Sequence, residues 1–270
     1  MPHLHDTSIA TSSTAIGVVL VLAWLWYARG RRQMPRPPAR ALPAWRAASF
    51  LVGLFLVWGA LGSPLVAYQH ELLTVHMIQH LLLMTIAPPL ILLGEPQLAF
   101  WYGLPQSGHA FINRWLDRSF VRRFARAASV PAVCWTIATV TLVAWHVPAL
   151  FTLALHSAVW HSVEQASFFG AGLLFWWPVI RPWPSVAAVP QWSTLLYLFF
   201  ATLPCDALSG FLVFSDHVAY PAYFSMPRHT GFSVLQDQQC AAALMWTGVT
   251  LVYLVPAAVL STRLLSPRSV

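Results

Sequence analysis

Lysine is absent from this 270-residue chain, so all fifteen of its basic residues are arginine. That absence excludes a retinal protein, whose Schiff base needs a lysine amine. Charge of either sign is scarce. Only 9% of residues are charged, against about a quarter in a soluble domain. The three cysteines (Cys134, Cys205 and Cys240) form no CxxC pair, and their odd number gives no disulfide framework. The opening MPHLHDTSIATSS lacks the basic n-region of a cleaved signal, so the first apolar run reads as a retained helix.

What fills the chain instead is apolar. Hydrophobic residues make up 58% of it, the composition of an integral membrane protein. The expected fold class is all-α, a polytopic membrane protein of seven transmembrane helices. The spans run over Ser13–Ala28, Ala44–Gly62, Leu72–Leu93, Val130–Trp145, Leu153–Trp177, Trp192–Phe214 and Gln239–Thr262. One membrane domain covers residues 1–270. It comprises an N-terminal helix with an Arg/Pro-rich loop (1–43), a core (44–262) and a cytoplasmic tail (263–270).

The net charge of +7 would suggest a nucleic-acid partner in a soluble protein. Here the arginines flank apolar runs, and topology explains them better. Arg29, Arg31, Arg32, Arg36, Arg40 and Arg46 surround the first loop. Arg114, Arg118, Arg122, Arg123 and Arg126 lie in the third, Arg181 in the fifth, and Arg263 and Arg268 in the tail. The opposite side holds Arg228 alone. This bias predicts an N-terminus outside, a C-terminus in the cytoplasm, and a bacterial inner (plasma) membrane location. The bilayer is then one partner, and nucleic acid is none.

On that frame the polar residues gather in one layer. His76 and His80 lie in the outer half of the third helix, ~9 and ~15 Å beyond His70 at 1.5 Å per residue. His146 ends the fourth helix. His156, His161 and Glu164 open the fifth, and Asp206 lies in the outer half of the sixth. Asp237, Gln238 and Met245 occupy the start of the seventh, while His217 and His229 fall in the outer loop before it. A lone intramembrane histidine commonly serves as glue between helices. Many ionisable groups at one depth point to a site.

His76 and His80, at i and i+4, share a helix face and can hold one metal ion. Met84 follows one turn below, and Met77 sits about 100° round from His76. His161 and Glu164, at i and i+3, share a second face; His156 lies off it and reads as a guide to the site. Imidazole with thioether suits copper, and imidazole with carboxylate suits zinc or iron. Pro88 and Pro89 are expected to kink or end the third helix. The fourteen tryptophans, Trp183 among them, fit interfacial belts.

The stretches HMIQHLLLMTIAPPLILLGEP, AWHVPALF, SFFGAGLLFWWPVI and LQDQQCAAALMW together resemble the CtaG-type cytochrome c oxidase assembly proteins, over about residues 40–262. These are seven-helix bacterial membrane proteins, distinct from the single-span factor that shares the CtaG name. The resemblance implies a non-catalytic factor that supplies copper to a heme-copper oxidase. Oxidase subunits and periplasmic copper chaperones are its implied partners. It points to His76, Met77, His80, His146, His161, Glu164, Asp237 and Gln238. Gln165 is a departure, because relatives often carry a second histidine there.

The expected metal set is His76, Met77, His80, His146, His156, His161 and Glu164, holding copper as Cu(I). Glu71, Met84, Gln165, Asp206, Asp237, Gln238 and Met245 are expected to support it. Two alternatives stand beside this reading. One is a zinc-dependent membrane hydrolase using Glu164, Asp206 or Asp237 as base. The other is a heme b electron carrier with His76 or His80 opposite His161.

Overall fold

The computed structural model describes residues 3–34, 42–127, 130–180, 190–227 and 231–266. Arg36, Arg40, Arg181, Trp183, Arg228, His229 and Arg268 lie outside the described residues. Every regular element among the described residues is helical.

The chain opens with α1 (His3–Gln33) and α2 (Ala44–Gly62), which pack on each other. A short 3₁₀ turn (Pro64–His70) leads into α3 (Leu73–Leu81), a π-helical turn (Leu82–Ile86) and α4 (Ala87–Leu93). Three shorter helices follow: α5 (Pro96–Tyr102), α6 (Gln106–Leu116) and α7 (Ser119–Ala127). Then come α8 (Pro131–His146), α9 (Pro148–His156), α10 (Ala158–Ile180), α11 (Gln191–Phe214) and α12 (Val234–Leu265). The α3–α4 rod sits at the centre, packed against α2, α10 and α12.

Five helices are long and apolar enough to cross a membrane: Ser13–Gln33, Ala44–Gly62, Leu73–Leu93, Trp192–Phe214 and Val234–Leu265. The pair α8–α9, bent by 74°, makes a sixth if it counts as one span. At 23 residues α10 is also long enough, but His161, Glu164 and Gln165 in its first turns keep it out of the apolar set. Large apolar side chains such as Phe199, Phe211, Phe214, Leu251 and Val255 stand exposed. This outward apolar surface suits lipid and marks a multi-pass membrane protein.

The expected helix over Leu153–Trp177 is divided. Val147 is extended and Pro148 follows at the first helical position, so α9 turns away from α8. Ser157, also extended, ends α9, and its carbonyl accepts the His161 amide at 2.9 Å as α10 begins. His156 therefore closes α9 instead of riding on the first turns of α10. The last helix starts earlier than its apolar run. Ser233 and Gln236 form a reciprocal capping box that adds a polar turn before Gln239.

Pro88 and Pro89 do not end the third span. The π turn before them absorbs their missing amides, with the Ala87 amide donating to the Leu82 carbonyl. The rod then continues to Leu93. At its far end Glu95 adopts a left-handed backbone (φ 48°) and pairs with Arg46 of α2.

Helix α10 passes close to the π turn at Gly172. A Cβ there would lie 2.6 Å from the Met84 carbonyl oxygen and 2.8 Å from Pro88 Cγ. Backbone on one side and a proline ring on the other leave no room to yield. Gly172→Ala is expected to cost about 1–3 kcal/mol, read as earlier thermal unfolding in detergent. Unchanged unfolding would mean that the helices part freely here.

Candidate metal centre

The centre is built on α3, and the start of α3 is fixed from another helix. Leu72, the residue before it, is extended and contributes no side-chain cap. Asp237 of α12 supplies one instead. Its carboxylate accepts the Leu73 amide (2.8 Å), the Thr74 amide (3.1 Å) and the Thr74 hydroxyl (2.7 Å). An anion at a helix N-terminus satisfies the first amides and complements the dipole. This contact fixes the position of the turns that carry His76 and His80.

His76 and His80 meet with their Nε2 atoms 2.7 Å apart. From α10, Glu164 brings Oε1 to 3.5 Å from His76 Nε2 and 3.3 Å from His80 Nε2. All three residues are buried, Glu164 completely. The three ligand atoms belong to a His76–His80–Glu164 group lying within 4.8 Å of one another. Donors about 2.0–2.2 Å from a tetrahedral ion stand about 3.3–3.6 Å apart. The two Glu164 edges match that spacing, and the His76–His80 edge would open by about 0.7 Å around an ion. Glu164 Oε1 has no hydrogen-bond partner in this arrangement, and neither have the Nδ1 atoms of His76 and His80. Burying such groups is costly unless something pairs with them. These residues therefore fit a small cation.

The second oxygen of Glu164 is held separately. His161 Nδ1 donates to Glu164 Oε2 at 3.1 Å. Around the other edge of that ring, Gln165 Nε2 lies 2.8 Å and Gln69 Oε1 3.0 Å from His161 Nε2. With the proton on Nδ1, a neutral ring accepts from Gln165; an imidazolium donates to Gln69. Either way His161 orients the carboxylate and leaves Oε1 facing the histidine pair. Imidazole rings form a ladder inward from the exposed His70. His70 to His161 is 6.2 Å between centroids, His161 to His76 is 5.6 Å, and His76 to His80 is 4.3 Å.

Below the pair lies a cavity of about 50 Å³ lined by His80, His146, Met77, Met84, Met245 and Cys205, among other residues. His146 enters it from the end of α8. Its Nδ1 donates to the Leu142 carbonyl at 2.7 Å, which places the proton on Nδ1 and leaves Nε2 with a lone pair.

The expected residues thus separate by place. His76, His80 and Glu164 come together, with His161 bonded to the acid and Gln165 bonded to His161. Met77, Met84, Met245 and His146 border the cavity beneath. Asp237 is a helix cap. Gln238 ties down the loop before α12, accepting the Ala219 amide (2.7 Å) and donating to the His217 carbonyl (3.2 Å). Glu71 is half-buried just ahead of α3. Asp206 is half-buried on α11 and is not among the residues lining the cavity. His156 is exposed at the end of α9, with Nδ1 donating to its own helix at Thr152; it is not brought to the cluster. Two participants carried no sequence signal. Gln69 precedes the span in a 3₁₀ turn, and Thr74 looks like any small polar residue at a helix start.

Three comparisons bear on these residues. The family model described as cytochrome c oxidase caa3 assembly factor (Caa3_CtaG) matches residues 25–266. An uncharacterized protein of Mycobacterium bovis and one of Mycobacterium tuberculosis are each 25% identical over 238 residues, covering 86% of this chain and 35% of their own length. An uncharacterized protein of Mycobacterium leprae is 22% identical over 254 residues, covering 87% of this chain and 36% of itself. The chain thus spans about a third of the length of the curated relatives it matches. No solved structure matches it.

Proposed function

The chain belongs to the cytochrome c oxidase caa3 assembly factor family, and from that premise we propose that it carries copper to a heme-copper oxidase. The cargo is held between α3 and α10 by His76, His80 and Glu164. The observation that carries this reading is the triangle of buried, mutually close ligand atoms. The thioethers of Met77 and Met84 on the same rod favour copper over harder ions. His161 holds the acid in place, and the ladder from His70 offers exchangeable imidazoles between surface and site.

In this reading the protein crosses a bacterial plasma membrane seven times. The rods are α1, α2, α3–α4, the bent α8–α9 pair, α10, α11 and α12. The arginine bias supports an N-terminus outside and a C-terminus in the cytoplasm. The histidine cluster then opens to the outer side, where oxidase subunits and periplasmic copper chaperones are accessible. The protein passes an ion on and catalyses no reaction.

Zinc is the second reading, because two imidazoles and one carboxylate also form the donor set of hydrolytic zinc enzymes. A hydrolase must admit a substrate, however, and a cavity of about 50 Å³ holds a few waters at most. Heme b gains no support from the geometry. A porphyrin would have to occupy the space in which Glu164 contacts both His76 and His161.

The test combines metal analysis of protein purified without a histidine tag with a His76→Ala/His80→Ala double variant. The wild type is expected to take up copper. The double variant is expected to bind it at least about 100-fold more weakly and to leave membranes without oxidase absorbance. Normal oxidase assembly by the double variant overturns the proposal, as does zinc as the tightly held metal.

A further inference from the structure

We propose that the cavity beneath the histidine pair is a second cation site, selective for a soft monovalent ion such as Cu(I). Its ligands are His146 Nε2 and the sulfur atoms that border the same space. The inference extends the copper-carrier reading and rests on it; the Met77 and Met84 thioethers that favour copper there are given a site of their own.

Two observations carry it. First, His146 is buried and its Nε2 has no hydrogen-bond partner, although the residue lines the cavity. The hydrogen bond from Nδ1 to the Leu142 carbonyl holds the proton on the other nitrogen, so Nε2 carries a lone pair suited to a metal. Second, three of the six methionines in the chain, Met77, Met84 and Met245, border this one cavity together with Cys205. Methionine is flexible and ordinarily moves to fill gaps in a core. Here about 50 Å³ stays open among three of them, several times the space that admits one water.

The donor chemistry separates the two sites. The upper one offers two imidazoles and a carboxylate, a borderline set. The lower one offers an imidazole, thioethers and a thiol, with Cys205 Sγ 3.8 Å from Ser209 Oγ. The three thioethers carry the preference for Cu(I), since Zn(II) takes imidazole, thiolate and carboxylate readily. His80 borders both sites. Its Nε2 faces Glu164, and its Nδ1 has no partner. The rod and α12 therefore place two unlike sites one ring apart, and an ion can step inward from the harder set to the softer.

The full chain is titrated anaerobically with Cu(I) and, separately, with Zn(II), and the copper-loaded protein is studied by X-ray absorption. The wild type is expected to take about two Cu(I) but about one Zn(II), with copper–sulfur distances of about 2.3 Å. A Met77→Leu/Met84→Leu/Met245→Leu variant keeps side-chain volume and is expected to hold about one Cu(I) with the sulfur shell gone. Glu164→Gln is expected to keep the sulfur-bound copper. His146→Asn serves as an independent check, with copper affinity at the sulfur site reduced about tenfold or more. Wild-type copper bound through nitrogen and oxygen alone overturns the second site and leaves the first standing. So does a methionine variant with unchanged stoichiometry and spectrum. If the wild type binds no copper at all, both readings fall.

Discussion

Glu164→Gln is expected to weaken metal binding at the His76–His80 pair by about 100-fold or more while the protein remains folded. Loss of a residue that merely orients a ligand commonly costs 10–100-fold, and Glu164 is placed to be a ligand itself. Glutamine has the same shape but only one oxygen. If that oxygen accepts from His161, the amide nitrogen faces the two imidazole Nε2 atoms and offers them hydrogen where an ion would need an electron pair. If it turns the other way, His161 Nδ1 loses its acceptor at 3.1 Å. Both orientations remove the negative charge that offsets a buried cation. Isothermal titration or competition with a chelator reads the loss, and thermal unfolding in detergent checks that the fold survives. Affinity within threefold of the wild type would remove Glu164 from the ligand set. The harsher Glu164→Ala leaves three imidazoles facing a void. It is expected to lower stability by about 3–5 kcal/mol, the range for stripping one partner from a buried charged cluster.

The second large effect is expected at the start of α3, one turn before His76. Asp237→Ala removes the acceptor of three hydrogen bonds at the start of α3. Loss of a capping side chain costs about 0.5–2 kcal/mol, and each buried donor left unsatisfied adds about 1–3 kcal/mol. A total of about 3–5 kcal/mol is expected, seen as a lower unfolding temperature. Metal stoichiometry should fall as well, because the turns bearing His76 and His80 lose their fixed start. Asp237→Asn keeps one acceptor oxygen and is expected to cost about 1–2 kcal/mol. An alanine variant as stable as the wild type would mean that water caps α3 equally well.

The sequence was legible where the physics is local. Uniform apolar runs bounded by proline and arginine set α2 and α11 to within a residue. The i, i+4 spacing put His76 and His80 on one face, and the i, i+3 spacing joined His161 to Glu164. What escaped was anything decided by contact between distant elements. One apolar stretch over Leu153–Trp177 concealed a break at Ser157, because hydropathy does not register a single extended residue. The approach of α10 to the α3–α4 rod, which turns two separate patterns into one cluster, is a matter of packing, with Gly172 set against Met84 and Pro88. Asp237 read as a supporting residue, or as the base of a hydrolase, because an acid in an apolar helix points to function; the structure uses its charge to cap another helix. Gln165, which read as a departure from the resembled family, is bonded to His161.

That cap has a consequence for synthesis. Leu73 and Asp237 are 164 positions apart. At 5–20 residues per second, roughly 10–30 s separate their emergence from the ribosome. Throughout that interval the third span is in the bilayer with its first amides awaiting their partner. Only when the last span enters beside it does the stretch bearing the two imidazoles gain its fixed start. A nascent or truncated chain therefore presents loose histidines and no framed cluster. If the copper-carrier proposal holds, cargo is accepted only once the final helix has been made, and unfinished copies do not compete for scarce metal with the finished protein.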